Sequence, residues 1–194
     1  MMEERGVDVD HSTIHRWVLK YAPELEEEFR KRKKPVGPSW RVDETHVKVK
    51  VHWKYLYKAV DKDGATIDFL LTEKRNVEAA KRFFRKSIHS SGMAEKVPVD
   101  KSGANKAPAE SFNTERRRRK KKKIVKRQIK YLNNVVEQDH RANKRVIRPM
   151  LGFKSFRSAT KTISGIEIMH MIRKEQMADS RNLTHSEQFY SLAG

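Results

Sequence analysis

Residues 40–73 constrain the fold more tightly than any other part of the chain. The run "WRVDETHVKVKV" alternates, with Val47, Val49 and Val51 on one side and Lys48 and Lys50 on the other. That is the period-two pattern of a half-buried strand. "WKYLYKAVD" and "ATIDFLLTE" follow, rich in aromatic and branched residues, with the turn signal "DKDG" (61–64) between them. The pattern predicts three consecutive antiparallel strands.

Around this block the periodicity is helical. Residues 1–34 read as helical, broken once by Gly6. Asp10 is a suitable N-cap for "HSTIHRWVLKY", which carries Ile14, Trp17, Val18 and Tyr21 at helical spacing. Pro23 suits the first turn of a second helix, "PELEEEFRKRKK", acidic at its start and basic at its end. Two prolines and a glycine make residues 35–39 a linker. "NVEAAKRFFRKSIHSS" (76–91) predicts an amphipathic helix with Asn76 as N-cap and Val77, Ala80, Phe84 and Ile88 on its apolar face. "KVPVDKSG" (96–103) reads as a short strand ending in an acid, and "IVKRQIKYL" (124–132) as another. A helix holding Glu137 follows, "GFKS" breaks it, and a last helix is predicted over 155–177. Its Phe156, Ala159, Ile163, Ile166, Met169 and Ile172 recur every three or four residues. The order of elements suits an α/β fold, a mixed sheet with helices on its faces. There are no internal repeats.

The formal net charge is +19. Residues 116–123 are eight consecutive bases, yet the chain is strongly basic without them. So broad a surplus points to a polyanion, DNA or RNA. The run repels itself and has no apolar face, so disorder is the expectation for 113–123. There is no cysteine, which excludes disulfides and thiolate metal sites. The acidic start "MMEERGVDVD" is no signal peptide, and no stretch approaches the ~20 apolar residues of a membrane span. The expectation is a soluble cytoplasmic protein without a membrane partner.

Three acids stand out. Asp43 lies inside the first strand, Asp100 closes the fourth, and Glu137 sits early in a helix. Singly, each has an ordinary reading: an edge residue, a turn cap, a solvated carboxylate. Aspartate is a poor strand former, however, and Asp43 is set in a valine-rich run. A ribonuclease-H-like sheet gives it a reason, because there the first and fourth strands lie side by side and a packed helix brings a third carboxylate over them. Three carboxylates suit hard ions such as Mg²⁺ or Mn²⁺. Two such ions ~4 Å apart can activate an attacking hydroxyl and stabilise a leaving oxygen. At about 100° per residue, Glu137, Arg141, Lys144 and Arg148 share a helical face. Val135, Ala142 and Val146 lie opposite and are expected to pack on the sheet. Asp139 falls on that opposite side too, with no explanation in the sequence. The plain alternative for Glu137 is an i,i+4 pair with Arg141, worth a few tenths of a kcal/mol.

At these residues the chain closely resembles the D-D-E transposases of bacterial insertion sequences, family six. The resemblance rests on "HSTIHRWVLKYAPELE", "WRVDETHVKVKVHWKYLYKAVDKDGATIDFLL", "AAKRFFRK", "VDKSGAN", "QIKYLNNVVEQDHRANKR" and "GFKSFRSATKTISGIEIMHMIRKEQM". It implies a ribonuclease-H-like (integrase core) catalytic domain over 40–178, with 179–194 a tail. Asp43, Asp100 and Glu137 are then the D, D and E and the ligands of two Mg²⁺ or Mn²⁺ ions, and Lys144 matches the basic residue that accompanies the glutamate. The implied reaction is metal-dependent cleavage at the element ends, releasing a 3′-hydroxyl that attacks target DNA. The implied partners are double-stranded DNA, as terminal repeats and target, and a second copy in a homodimer, in a bacterial cytoplasm at the nucleoid. "STIHRWVLKY" looks like the recognition helix of a helix-turn-helix, with Ser12, Thr13, His15 and Arg16 at its exposed start. Family members carry a longer N-terminus, so the expectation is a partial helix-turn-helix over 1–34 and a truncated copy. The stretch "APAESFNTERRRRKKKKIVK" also departs from the family and reads as decayed or frameshifted coding, or else as a non-specific DNA contact. Two other readings stay open: an inactive DNA-binding fragment, and a nuclease without strand transfer.

Overall fold

The valine-rich block folds into three antiparallel strands in the order β1-β2-β3: β1 (Arg41–Val49), β2 (His52–Val60) and β3 (Thr66–Thr72). The computed structural model describes residues 9–98, 125–127, 134–180 and 182–193. Val47 and Val49 are buried as the alternation predicts. Val51 is not: β1 ends at Val49, and Val51 sits in the two-residue turn before β2, 80% exposed. The second turn is built by Asp61, whose Oδ1 accepts the N–H groups of Asp63 and Ala65, both at 2.9 Å. Gly64 takes the left-handed φ of 89° that this turn needs.

The rest of the Lys34–Lys154 unit covers this sheet and sets a separate two-stranded parallel pair beside it. Helix α2 (Val77–Ser91) starts at Asn76, whose side chain accepts the Ala79 N–H at 2.8 Å. Its Ala80, Phe83 and Phe84 join Trp40, Val42, Tyr57, Ala59 and Ile67 in one core. Phe83 stacks on Tyr57 at 5.8 Å. Val77, expected on the apolar face, is exposed; Phe83 fills the stripe instead. Strand β4 (Lys96–Pro98) comes alongside the start of β1 through a parallel bridge at Ser39 and Lys96, where the Trp40 N–H donates to the Lys96 carbonyl at 2.9 Å. Strand β5 (Val125–Arg127) pairs parallel with β4. The first and fourth strands therefore meet, and the architecture is the helix-flanked, mixed α/β ribonuclease-H-like arrangement. Asp100 and the basic insert 113–123 lie outside the described residues.

Helix α3 (Asn134–Ile147) covers the other face of β1 and β2. It buries Val136, Asp139, His140 and Asn143. The expected apolar set does not lead: Val135 and Ala142 are half-buried and Val146 is exposed. The cause is Lys58 of β2, fully buried, whose Nζ lies 2.5 Å from Asp139 Oδ2. A buried ammonium needs a counter-ion, and that demand rotates Asp139 inward. A 3-10 turn (Arg148–Met150) follows. Phe153 then returns to the end of β1, donating its N–H to the Lys48 carbonyl at 3.0 Å and accepting from the Lys50 N–H at 2.6 Å. Gly152 is required there: its φ is 107°, and a Cβ would meet the Lys48 carbonyl oxygen at 3.2 Å.

The second compact unit comprises Met1–Lys33 and Ser155–Gly194. Its α1 (His11–Lys31) is one helix, capped by Asp10, rather than two. Pro23 lies inside it and leaves the Leu19 carbonyl without its usual donor. Lys161 of α4 (Phe156–Arg173) supplies one, Nζ to Leu19 O at 2.7 Å, and so keeps the helix continuous. Helix α4, expected with the 40–178 segment, packs against α1. Ala22 and Phe29 are buried, and Gly165 lets the backbones approach, its missing Cβ lying 3.5 Å from that of Ala22. Ser164 donates to Glu26 across the pair. Ile14, Trp17 and Tyr21, spaced as if for a core, are all exposed among the described residues, because the α1–α4 contact uses the later turns. Residues read as a tail contain α5 (His185–Tyr190), opened by a Thr184–Glu187 capping box. No helix among the described residues is long and apolar enough to cross a membrane.

Candidate active site

Asp43 is the third residue of β1, directly opposite Lys58 in the β1–β2 register. Side chains alternate along a strand. Val42 and Glu44 accordingly point to α2, and Asp43 points to α3. The neighbouring cation does not pair with Asp43, since Lys58 is held by Asp139. What approaches Asp43 is His140, with Nε2 3.6 Å from Oδ2. The imidazole is buried, and neither ring nitrogen has a hydrogen-bond partner among the described residues. Burial, then the charge of Lys58, pushes the His140 pKa down to about 4, so the ring is neutral at neutral pH. The contact is therefore not an ion pair.

The Asp43 carboxyl moves the other way, up to about 6. Burial is the largest cause, and the charges of Glu44 and Glu137 add to it, while the Glu44 backbone N–H and Lys144 oppose it. Glu137 and Lys144 thus both act electrostatically on Asp43. They are seven residues apart on α3, two turns along one face. Glu137 itself is exposed in the first turn of α3. Glu44 pairs with Arg75, and its Oε2 has no hydrogen-bond partner among the described residues.

A desolvated carboxylate crowded by like charges gains from a bound cation, and an all-oxygen donor pair suits a hard divalent one. Asp43 and Glu137 fit that chemistry. Among the described residues no group of three or more His, Asp or Glu converges on one point; the third expected carboxylate, Asp100, lies outside them. Arg141 and Arg148 are exposed along α3 and the turn after it, and Lys144 is half-buried. In the other unit Ser12, His15 and Arg16 are exposed at the start of α1, and Arg16 Nη2 donates to Thr13 Oγ1 at 3.0 Å.

Sequence reasoning missed His140 and the Lys58–Asp139 pair. An aspartate on the supposed sheet-facing side of α3 was the one available signal, and Lys58, in a strand of mixed residues, gave none. Residues 37–176 match a family profile described as a DDE domain, of the IS240 transposase type. The chain is 37% identical over 175 residues to a transposase for insertion sequence-like element IS431mec of Staphylococcus aureus, covering 90% of this chain and 75% of that protein. It is 36% identical, with the same coverage, to the transposase for insertion sequence element IS257 in transposon Tn4003 of Staphylococcus aureus. Among solved structures it is similar to a chain of the simian T-cell lymphotropic virus intasome, with a TM-score of 0.51 over 72% of this chain and 52% of that one. At 15% identity that likeness is one of fold alone.

Proposed function

The chain belongs to the DDE-domain transposases, and from that premise we propose that Asp43, Asp100 and Glu137 are its catalytic carboxylates. It is a DNA transposase, an enzyme of the polynucleotidyl-transferase type. The observation that carries the assignment is the half-buried strand carboxylate of Asp43, raised toward neutrality in part by Glu137 from the helix above it. Two divalent cations, Mg²⁺ or Mn²⁺, held by the three carboxylates would supply Lewis-acid activation of an attacking oxygen and charge stabilisation of a leaving one.

The chain's own residues provide position and exclusion. The Lys58–Asp139 pair fixes α3 on the sheet and with it the height of Glu137 above β1. His140, neutral and buried, shields one side of Asp43 from water without competing for its charge. Arg141, Lys144 and Arg148 hold backbone phosphates of the reacting strand. Ser12, Thr13, His15 and Arg16 contact the terminal repeats of the element. Water cleaves the phosphodiester at each element end and leaves a 3′-hydroxyl. That hydroxyl attacks a target phosphodiester, forms the joining bond and expels the target's 3′-oxygen. A homodimer pairs the two ends.

The test incubates the protein with labelled element ends, target plasmid and Mg²⁺ or Mn²⁺. Joined products are expected, and Asp43→Asn, Asp100→Ala and Glu137→Gln each abolish them. Nicks without joining would make the protein a nuclease, and retention of DNA without cutting would leave it a binding protein. Cutting that survives Asp100→Ala would overturn the site assignment.

A further inference from the structure

Shielding Asp43 does not account for the polar atoms of His140. The side chain is 4% exposed, and neither Nδ1 nor Nε2 meets a hydrogen-bond partner among the described residues. Burying an unpaired donor carries a desolvation cost, and most buried polar side-chain atoms in folded proteins are paired. A leucine or methionine would fill the same place on α3 without that cost. A histidine here calls for a partner that the ring meets in the working site.

The surroundings narrow the choice. On α3 the ring lies about one turn from the buried Val136 and Asn143. The adjacent carboxylate, Asp139, is engaged by Lys58 of β2. The carboxylate that does approach His140 is Asp43, with Oδ2 3.6 Å from Nε2. The Asp43 main chain also acts on the ring, so both acceptors near it belong to one residue. A separation of 3.6 Å is beyond hydrogen-bond length by roughly 0.5 Å. Catalytic hydrogen bonds are often this long outside the working complex and tighten within it. The Asp43 side chain is 28% exposed. His140 covers its buried side, which leaves the open side for a cation.

We infer that His140 is a positioning residue for Asp43: its Nε2–H donates to one carboxylate oxygen and leaves the other turned toward the divalent cation. The inference rests on the reading of Asp43 as a metal ligand. Carboxylates that bind a metal are themselves held by hydrogen bonds, and losing such a partner lowers metal affinity. An imidazole donates from its neutral form. It therefore fixes the carboxylate without setting a positive charge beside the cation, as a lysine or arginine at the same place would. The bond also selects a tautomer, with the proton on Nε2 and Nδ1 left as an acceptor.

Two measurements on the full chain test this. In nitrogen NMR of the histidine rings, the His140 signals are identified by their loss in His140→Gln. The expected result is a ring proton on Nε2 that moves downfield when Mg²⁺ is added, a movement absent from Asp43→Asn. Mn²⁺ uptake is followed by the electron paramagnetic resonance of the free ion. His140→Leu should need roughly 10- to 100-fold more Mn²⁺ for half-saturation, and His140→Gln, which keeps an N–H donor, should recover most of that affinity. A proton on Nδ1, an affinity that His140→Leu leaves unchanged, or one that the leucine and glutamine variants lower alike, overturns the positioning role. Loss of Mn²⁺ uptake in Asp43→Asn would in that case still support the carboxylate assignment. Uptake that Asp43→Asn leaves intact, or a wild type that takes up no Mn²⁺, overturns both readings.

Discussion

Asp43 and His140 touch and are perturbed in opposite senses, which makes the metal-free protein a test of both. Asp43 titrates higher in the folded chain, about 6 against an ordinary 3.8. Its ionisation therefore costs stability, increasingly as pH rises between those values and fully above them. His140 titrates lower, about 4 against 6.5, so its burial penalty is relieved as pH rises through that window. The two partly cancel in the wild type. Asp43→Asn removes one arm. In metal-free buffer at pH 7 it should raise stability by about 1–3 kcal/mol in urea denaturation, with the gain vanishing near pH 4. On the proposed metal assignment, Mg²⁺ or Mn²⁺ should stabilise the wild type and fail to stabilise this variant. A variant less stable than wild type at pH 7 would mean Asp43 is not under the crowding described. Lys58 and Asp139 make a second residue-scale prediction. Asp139→Leu removes a carboxylate partner of a fully buried ammonium and should cost about 3–5 kcal/mol, whereas Lys58→Met with Asp139→Leu should recover most of it. Joining activity should fall with the single variant and return with the double, since what matters is that α3 stays seated.

At the scale of elements, α1 survives a proline because another helix repairs it. Lys161→Met leaves the Leu19 carbonyl with no donor and should cost about 1–3 kcal/mol. In a Pro23→Ala background the restored N–H at position 23 can bond Leu19 itself, so the same loss should shrink to under about 1 kcal/mol. A double-mutant cycle by chemical denaturation reads the coupling; additive effects would show that Lys161 does not stand in for the missing N–H. Pro23 also shows where local reading ends. It signals a helix start, and nothing near it announces a lysine from α4. The strands were legible because both their cause and their signal are local: alternating valines, and an Asp61 that closes its own turn. Asp43 was legible as an acid where a strand former belongs. The buried face of α3 was not, because it is set by a pair formed between a strand and a helix far apart in the chain, and the valines of α3 suggested another face. His140 was hidden for the same reason: its role comes from its distance to Asp43, and distance across the fold is what a sequence does not carry.

For the whole molecule the governing quantity is charge. At +19 the chain will bind any duplex to some extent, and the affinity will fall steeply with salt. The cations include Arg141, Lys144 and Arg148, on α3 and the turn after it, and the eight consecutive bases at 116–123. A run of this kind can neutralise phosphates but offers no side-chain variety with which to tell one base pair from another. Its contribution should therefore be to general affinity and not to preference. Each contacted phosphate adds about 0.9 to the slope of log affinity against log salt, so replacing all eight bases with serine should flatten that slope by up to about 7. The ratio of affinities for element-end and random duplex, measured at one salt concentration, should stay within roughly threefold, because base contacts and not phosphate contacts carry discrimination. A slope that does not change would assign the salt-dependent contacts to the rest of the chain. A collapse of the ratio would give the run a part in recognition, beside the contacts proposed for the start of α1.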